Sequence, residues 1–276
     1  MHSVLIVGLG EVGSAIYEIA IESKKFAVYG YDVNPHKTRN RLDEIPRPIN
    51  YLHIAIPYTS NFTNIVIEYI EKFSPEIVFI HSTVAPGTTR KILDATNKPI
   101  AYTPVRGKHP NMKRHLLFWS KWIVTIPQSI VEEASTHLRE MGFKVKVYRG
   151  SPETLELAKL WETVYRAVMI AAWQELHRIA QRYQADLAII AEFVGEVHEV
   201  LGDRPIYFPG YIGGHCLIPN TKILNKVHPS KLFDFILESN EKRLKELEDP
   251  KIREEVEKLK EIALRYTNKD YYGVKI

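Results

Sequence analysis

Gly213, Gly214, His215 and Cys216 set the only cysteine of the chain beside two glycines, where a thiol has room to meet a substrate. A thiolate is a strong nucleophile once nearby positive charge lowers its pKa, and open glycine amides can donate to an oxyanion. The ordinary reading of a lone cysteine is a small buried apolar residue. Two other features weigh against it: a dinucleotide-type opening at residues 4–13, and Lys159 on a helix. The Lys159 ammonium is suited to stabilise an alkoxide or oxyanion. Its competing reading is a solvated lysine in an exposed ion pair with Glu156, one turn earlier.

Val4 to Gly13 place the GxGxxG spacing between an apolar run and a helical pattern. There Gly8 permits the tight turn, Gly10 lets backbone approach a pyrophosphate, and Gly13 lets helix and strand pack closely. Glu11 and Val12 begin the helix, whose N-terminal N–H groups and partial positive charge suit phosphates. Asp32 ends the second apolar run about 20 residues on, where a carboxylate accepts from ribose hydroxyls and repels a 2′-phosphate. NAD is therefore expected rather than NADP. The alternative is that Asp32 only caps the turn before Asn34 and Pro35, and Lys37 and Arg39 nearby bear on the preference. Pro57 and Thr83, each just beyond a later apolar run, complete the expected cofactor set. Arg106, Lys108 and His109 are candidates for binding phosphate or carboxylate, His109 with a near-neutral pKa, and are equally readable as loop charges. No residues are assigned to a metal.

These groups need a scaffold, and the first 150 residues alternate short apolar runs with helical patterns, the mark of a parallel sheet covered by helices. Strands are expected at Val4 to Val7, Ala27 to Tyr31, Tyr51 to Ile56, Ile77 to His81, Ile100 to Tyr102, Trp122 to Ile126 and Val145 to Tyr148, with helices at Glu11 to Ser23 and Ser129 to Met141. This is a doubly wound, Rossmann-like α/β domain over 1–150. At Ser151 and Pro152 an N-cap and a first-turn proline open a new pattern with Glu153 and Glu156 in the first turn. Apolar residues then recur at spacings of three and four to Tyr183, a helix of roughly 48 Å. Helices follow at Asp186 to Leu201, about Lys231 to Glu248 and Asp249 to Tyr266, with a Gly/Pro-rich loop at Gly202 to Asn220. Residues 151–276 thus read as an all-helical domain. The apolar face of its long helix, including Trp161, Tyr165 and Trp173, exceeds what one small domain needs, so a homodimer is expected.

The chain has 276 residues, 45% hydrophobic and 25% charged, as an ordinary globular protein does. One cysteine excludes an intramolecular disulfide framework, and a reducing cytoplasm is the natural setting. Met1 to Gly10 reads as a strand rather than a signal peptide. No segment approaches the roughly 20 apolar residues of a membrane span. A net charge of +4 fits an anionic ligand such as a nucleotide, without calling for nucleic acid.

Three motifs in order resemble the UDP-glucose/GDP-mannose dehydrogenase family: His81-Ser82-Thr83-Val84-Ala85-Pro86-Gly87-Thr88-Thr89, Glu156-Leu157-Ala158-Lys159, and Gly210-Tyr211-Ile212-Gly213-Gly214-His215-Cys216. The resemblance runs from about Met1 to Asn240. It implies oxidation of a sugar C6 hydroxyl to a carboxylate with two molecules of NAD. In that scheme the Cys216 thiol adds to an aldehyde intermediate, and the resulting thioester is hydrolysed. Thr83 matches a family threonine that positions a water. Four departures stand out. The family asparagine four residues after the lysine is Thr163, and the family aspartate four residues after the cysteine is Asn220. The loop after the strand at Ala101 carries Arg106, Lys108 and His109 in place of glutamate. A third, C-terminal α/β domain has no counterpart in the 60 residues after Cys216.

The leading expectation is an NAD-dependent dehydrogenase acting on an alcohol of a sugar-like or nucleotide-sugar-like substrate. Two others stand beside it: a β-hydroxyacid-type dehydrogenase that needs no cysteine, and a catalytically degenerate NAD-binding protein.

Overall fold

Residues 3–147 alternate strands and helices: β1 (Ser3–Val7), α1 (Glu11–Ser23), β2 (Ala27–Tyr31), β3 (Tyr51–Ile54), α2 (Phe62–Phe73), β4 (Ile77–Ile80), α3 (Thr88–Thr96), β5 (Ile100–Tyr102), α4 (Met112–Phe118), β6 (Lys121–Ile126), α5 (Val131–Met141) and β7 (Val145–Val147). The computed structural model describes residues 1–108 and 110–266. Two compact units emerge, Met1–Leu160 and Trp161–Ile276.

In the first unit the strands form one sheet in the order β2-β1-β3-β4-β5-β6-β7. β1 to β5 are parallel, whereas β6 pairs antiparallel with β5, Tyr102 opposite Val124, and β7 pairs parallel with β6. The expected parallel sheet thus holds through β5 and reverses at its last two strands. The link from β5 to β6 contains only α4, a helix of 7 residues and roughly 10 Å. It does not carry the chain back along the sheet, so β6 starts at the edge where β5 stops. The order changes direction between β1 and β3, which opens a crevice at their carboxyl ends, the ligand site of such sheets.

Successive strand residues point to opposite faces. Val4, Ile6, Phe79, Ala101 and Ile123 pack with Ile16, Leu116 and Leu138 on one side. Leu5, Val7, Leu52, Ile54, Val78, Ile80 and Val124 pack with Val66, Ile70, Ile92 and Leu155 on the other. The first face also holds a polar line. The ring nitrogens of His53 stand 2.9 Å from His81 and 2.8 Å from His137, all three rings buried. Burial holds all three well below the usual imidazole range, His137 at about 3.

α6 (Pro152–Tyr183) is continuous over 32 residues, roughly 48 Å. The boundary between the units falls inside it rather than at 150/151, because its first turns pack with the sheet through Leu155. In the second unit α6 is followed by α7 (Leu187–Leu201), α8 (Leu217–Val227), α9 (Lys231–Glu246) and α10 (Pro250–Arg265). Asp186 caps α7 by accepting from Ala188 N at 2.8 Å, and Asp249 caps α10 from Lys251 N at 2.8 Å, followed by Pro250 at the first helical position. Trp173, Ala180, Leu187, Ala191, Ile206, Leu259 and Ile262 form the core. The expected loop at 202–220 ends earlier, because α8 starts at Leu217; Pro219 lies in its first turn, where no helical N–H is needed. Trp173 is buried within its own unit, while Trp161 and Tyr165 are 44% and 55% exposed.

Candidate active site

The fingerprint turn has the geometry its glycines require. Gly8 has φ +87°, and a Cβ there would lie 2.6 Å from the Ala55 carbonyl oxygen. A Cβ on Gly13 would lie 1.7 Å from the Gly8 oxygen, so helix and strand meet as closely as backbone allows. Gly10 faces open space, with no atom within 4 Å of its would-be Cβ, and caps α1 with no side-chain hydrogen bond. The α1 N-terminus therefore presents the N–H groups of Val12 and Gly13 on an open side.

Asp32 follows β2 and ties this turn down. Its Oδ2 accepts from Leu9 N at 2.7 Å and its Oδ1 from Asn34 N at 2.8 Å. The turn-capping role read from the sequence is present, and the carboxylate also faces the glycine loop. Each oxygen keeps a second lone pair for a ribose hydroxyl. Open backbone at Gly10, uncapped amides and this carboxylate make a donor and acceptor set that fits a dinucleotide without a 2′-phosphate. Pro57 is exposed three residues beyond β3, at the same crevice.

Thr83 is half-buried in the loop between β4 and α3, beside Ser82, whose Oγ donates to the Ile56 carbonyl at 2.7 Å. That loop is tied to α6. The Glu156 carboxylate, fully buried, accepts from Gly87 N at 2.6 Å, Thr89 N at 2.8 Å and Thr89 Oγ1 at 2.6 Å. Burial pushes its pKa up, and these hydrogen bonds pull it the other way. The reading of Glu156 as half of an exposed ion pair with Lys159 is therefore overturned. Lys159, half-buried, stands one turn further along the helix that Glu156 anchors.

Arg106 donates from Nη2 to the Ser120 carbonyl at 2.6 Å, with its guanidinium 4.7 Å from the Trp119 ring centroid. Lys108 is exposed, its backbone N–H donating to His115 Nδ1 at 2.9 Å. His109 lies outside the described residues. Sequence reasoning passed over a third cation here, Lys121, which is 3% exposed at the start of β6. Its position at the head of an apolar strand carried no signal.

In the second unit Cys216 is exposed at the N-cap of α8, after Gly213, Gly214 with φ +80°, and an exposed His215. Two buried amides from neighbouring helices hold the approach to it. Gln174 Nε2 donates to the Gly210 carbonyl at 2.7 Å. Asn240 accepts from Ile212 N at 2.7 Å and donates to its carbonyl at 3.1 Å, pairing both backbone groups as a strand would. These clamps were not read from the sequence, since neither lies within a motif. Asn220, one turn into α8, donates from Nδ2 to Thr163 Oγ1 at 2.7 Å, both residues buried. The two residues that depart from the family pattern are thus partners.

Among the described residues no helix is long and apolar enough to cross a membrane. Residues 153–242 match the central domain of the UDP-glucose/GDP-mannose dehydrogenase family. A UDP-N-acetyl-D-mannosamine dehydrogenase of Methanococcus vannielii is 27% identical over 194 residues, 68% of this chain and 43% of that protein. Its counterpart in Methanocaldococcus jannaschii is 29% identical over 191 residues, 65% of this chain and 43% of that protein. The chain matches less than half the length of these relatives. Among solved structures, a UDP-D-ManNAc dehydrogenase from Pyrococcus horikoshii superposes with a TM-score of 0.76 at 20% identity, over 87% of this chain and 68% of that one. It shares the fold.

Proposed function

From the match of residues 153–242 to the central domain of the UDP-glucose/GDP-mannose dehydrogenase family and the likeness to UDP-N-acetyl-D-mannosamine dehydrogenases, we propose that the chain is an NAD-dependent oxidoreductase acting on a CH–OH group of a nucleotide sugar, UDP-N-acetylmannosamine being the first candidate. The observation that carries the reading is the Asp32 carboxylate bonded to Leu9 N inside the glycine turn, which builds a dinucleotide cradle that rejects a 2′-phosphate. Gly8, Gly10, Glu11, Val12, Gly13, Asp32, Pro57 and Thr83 hold the coenzyme. When bound, NAD supplies the electron sink for oxidation of the alcohol.

The chain's own residues do the rest. Lys159 stabilises the alkoxide as the hydroxyl loses its proton. Cys216, exposed and flanked by glycine amides, adds its sulfur to the aldehyde carbon; the C–S bond forms as the carbonyl oxygen takes up negative charge. After the second oxidation, water held by Thr83 attacks the thioester carbon. The C–S bond breaks and the thiolate leaves, so the product is the carboxylate. Thr163 and Asn220 shape the oxyanion side of this site, with Gly213, Gly214 and His215 leading to the thiol, and Arg106 and Lys108 are candidates to bind an anionic group of the substrate. The protein works as a cytoplasmic homodimer, joined through the exposed stripe of Trp161 and Tyr165 on α6.

NADH formation against UDP-N-acetylmannosamine, UDP-glucose and GDP-mannose tests the reading. Turnover is expected with one of them and is lost with NADP. Cys216→Ser should stop at the aldehyde, releasing one NADH per sugar in place of two. An unchanged yield of two would remove the thiol from the reaction.

A further inference from the structure

Lys121 is a buried cation without a counter-ion. Its Nζ donates to the Thr103 carbonyl at 3.1 Å and sits 5.6 Å from the Phe143 ring centroid, and no carboxylate among the described residues pairs with it. An ammonium has three N–H donors, so two remain unused. A lone charge in such surroundings is costly unless a partner of opposite sign arrives. The charge beside it makes matters worse. Burial pushes the ammonium down to about 7, and the Arg106 guanidinium adds to the shift. Arg106 uses Nη2 on the Ser120 carbonyl and its face on Trp119, and likewise has no carboxylate among the described residues.

The two cations share a small cleft lined by Pro104, Arg106, Leu116, Trp119, Ser120 and Lys121. Its volume, about 10 Å³, is room for one oxygen-sized atom. The cleft has a functional address. Residues 103–106 leave the carboxyl end of β5, and Lys121 opens β6, which runs antiparallel to it from that same edge. The glycine turn and Thr83 lie at the carboxyl ends of β1 and β4 on this edge.

We propose that Lys121 and Arg106 form a binding site for one oxygen of an oxyanion, a carboxylate or phosphate, which enters the cleft beside Trp119. The anion restores the missing negative charge: Lys121 gives its two free N–H donors from inside, and Arg106 approaches from the rim with the remaining guanidinium donors. Two sources supply such an oxygen, a free ion or the pyrophosphate of a sugar nucleotide. The second alternative rests on the proposed function, and the first does not.

The test is binding without turnover. The chain is titrated with inorganic phosphate and, separately, with acetate, against sodium chloride at matched ionic strength. Melting temperature and the ¹⁵N signal of the Lys121 ammonium are followed in wild type, Lys121→Met and Arg106→Gln. Methionine suits the apolar walls and keeps the fold, and Arg106 is near enough to the surface for its change to be tolerated. Phosphate or acetate should raise the wild-type melting temperature and move the Lys121 signal, and each variant should bind at least tenfold more weakly. Equal responses in wild type and Lys121→Met would overturn the site. Displacement of phosphate by UDP-N-acetylmannosamine supports it with the substrate as source; phosphate retention beside bound sugar nucleotide supports it as a free-ion site. NADH formation plays no part in the readout, so a failed assay of the activity leaves this result standing.

Discussion

Glu156 on the second turn of α6 and Thr89 on the first turn of α3 are joined twice, the carboxylate taking the Thr89 amide at 2.8 Å and its hydroxyl at 2.6 Å. The other oxygen takes Gly87 N at 2.6 Å. One buried carboxylate thereby fills the N-terminus of α3, where a negative charge is favoured. It also ties the helix that carries Lys159 to the loop that carries Thr83. The sequence shows only an acid three residues before a lysine.

Glu156→Gln is expected to break this clamp without changing the volume of the side chain. A glutamine presents one acceptor oxygen and an NH₂ that cannot accept, so a buried N–H is left facing a donor. Such an unpaired group costs about 1–3 kcal/mol. Denaturant melts should show that loss, and kcat should fall at least tenfold while the Kd for NAD stays within about twofold. A variant as stable and as active as wild type would show that the tie positions nothing.

Asp32→Ala should weaken coenzyme binding as well as loosening the turn it ties down. It removes the acceptor of Leu9 N and the lone pairs aimed at the ribose, so NAD binding should weaken by about 1–3 kcal/mol, roughly fivefold to 150-fold. Because the charge that repels a 2′-phosphate is also gone, the preference for NAD over NADP should shrink in the same titration. An unaltered preference would assign discrimination to other residues.

The histidine line makes the first unit acid-labile. His53, His81 and His137 have folded pKa values depressed by burial, while the unfolded chain titrates near 6.5. Below that pH the unfolded state binds more protons, so stability present above 6.5 is lost as pH falls toward about 3, the value for His137. The loss is about 1.4 kcal/mol per pH unit for each histidine that stays neutral in the fold. Lys121 acts with the same sign in a higher window: its folded value near 7 lies below the unfolded one, so its destabilising effect fades as pH rises above 7. Melting temperature in phosphate-free buffer should therefore drop steeply from pH 6.5 to 4. Lys121→Met should raise it at pH 6 by more than at pH 10.

What was legible in the sequence follows from periodicity. Val4 to Val7 and Ile77 to Ile80 are short unbroken apolar runs, and Leu160, Val164 and Ala171 recur at helical spacing, so strands and the long helix could be read directly. Reversal of β6 could not, because pairing direction depends on how α4 lies against α1 and leaves no trace in the apolar pattern. The glycine turn and Asp32 were visible because each glycine answers a local steric demand. The tie of Glu156 to Gly87 and Thr89, the pairing of Asn240 with Ile212, and the buried Lys121 all join residues far apart in the chain. Such contacts carry no spacing rule, and a buried lysine looks like any surface lysine until the strand around it is placed.

The pair Thr163 and Asn220 sets the last expectation, because its 2.7 Å hydrogen bond joins the two positions where the sequence departs from the family pattern it resembles. Asn220 cannot take a proton from water, and its Nδ2 is committed to Thr163 Oγ1. Thioester hydrolysis should then be the slow step. Mixing enzyme with substrate and excess NAD should give a rapid burst of about two NADH per site, followed by slow turnover, with an acyl group trapped on Cys216 that intact-protein mass spectrometry detects. Asn220→Asp supplies an acceptor for the Thr163 hydroxyl and a base for water, and should raise the steady-state rate at least tenfold while leaving the burst unchanged. The buried carboxylate will cost about 1–3 kcal/mol of stability. Steady-state turnover as fast as the burst in the wild-type protein would show instead that water is activated without a carboxylate at position 220.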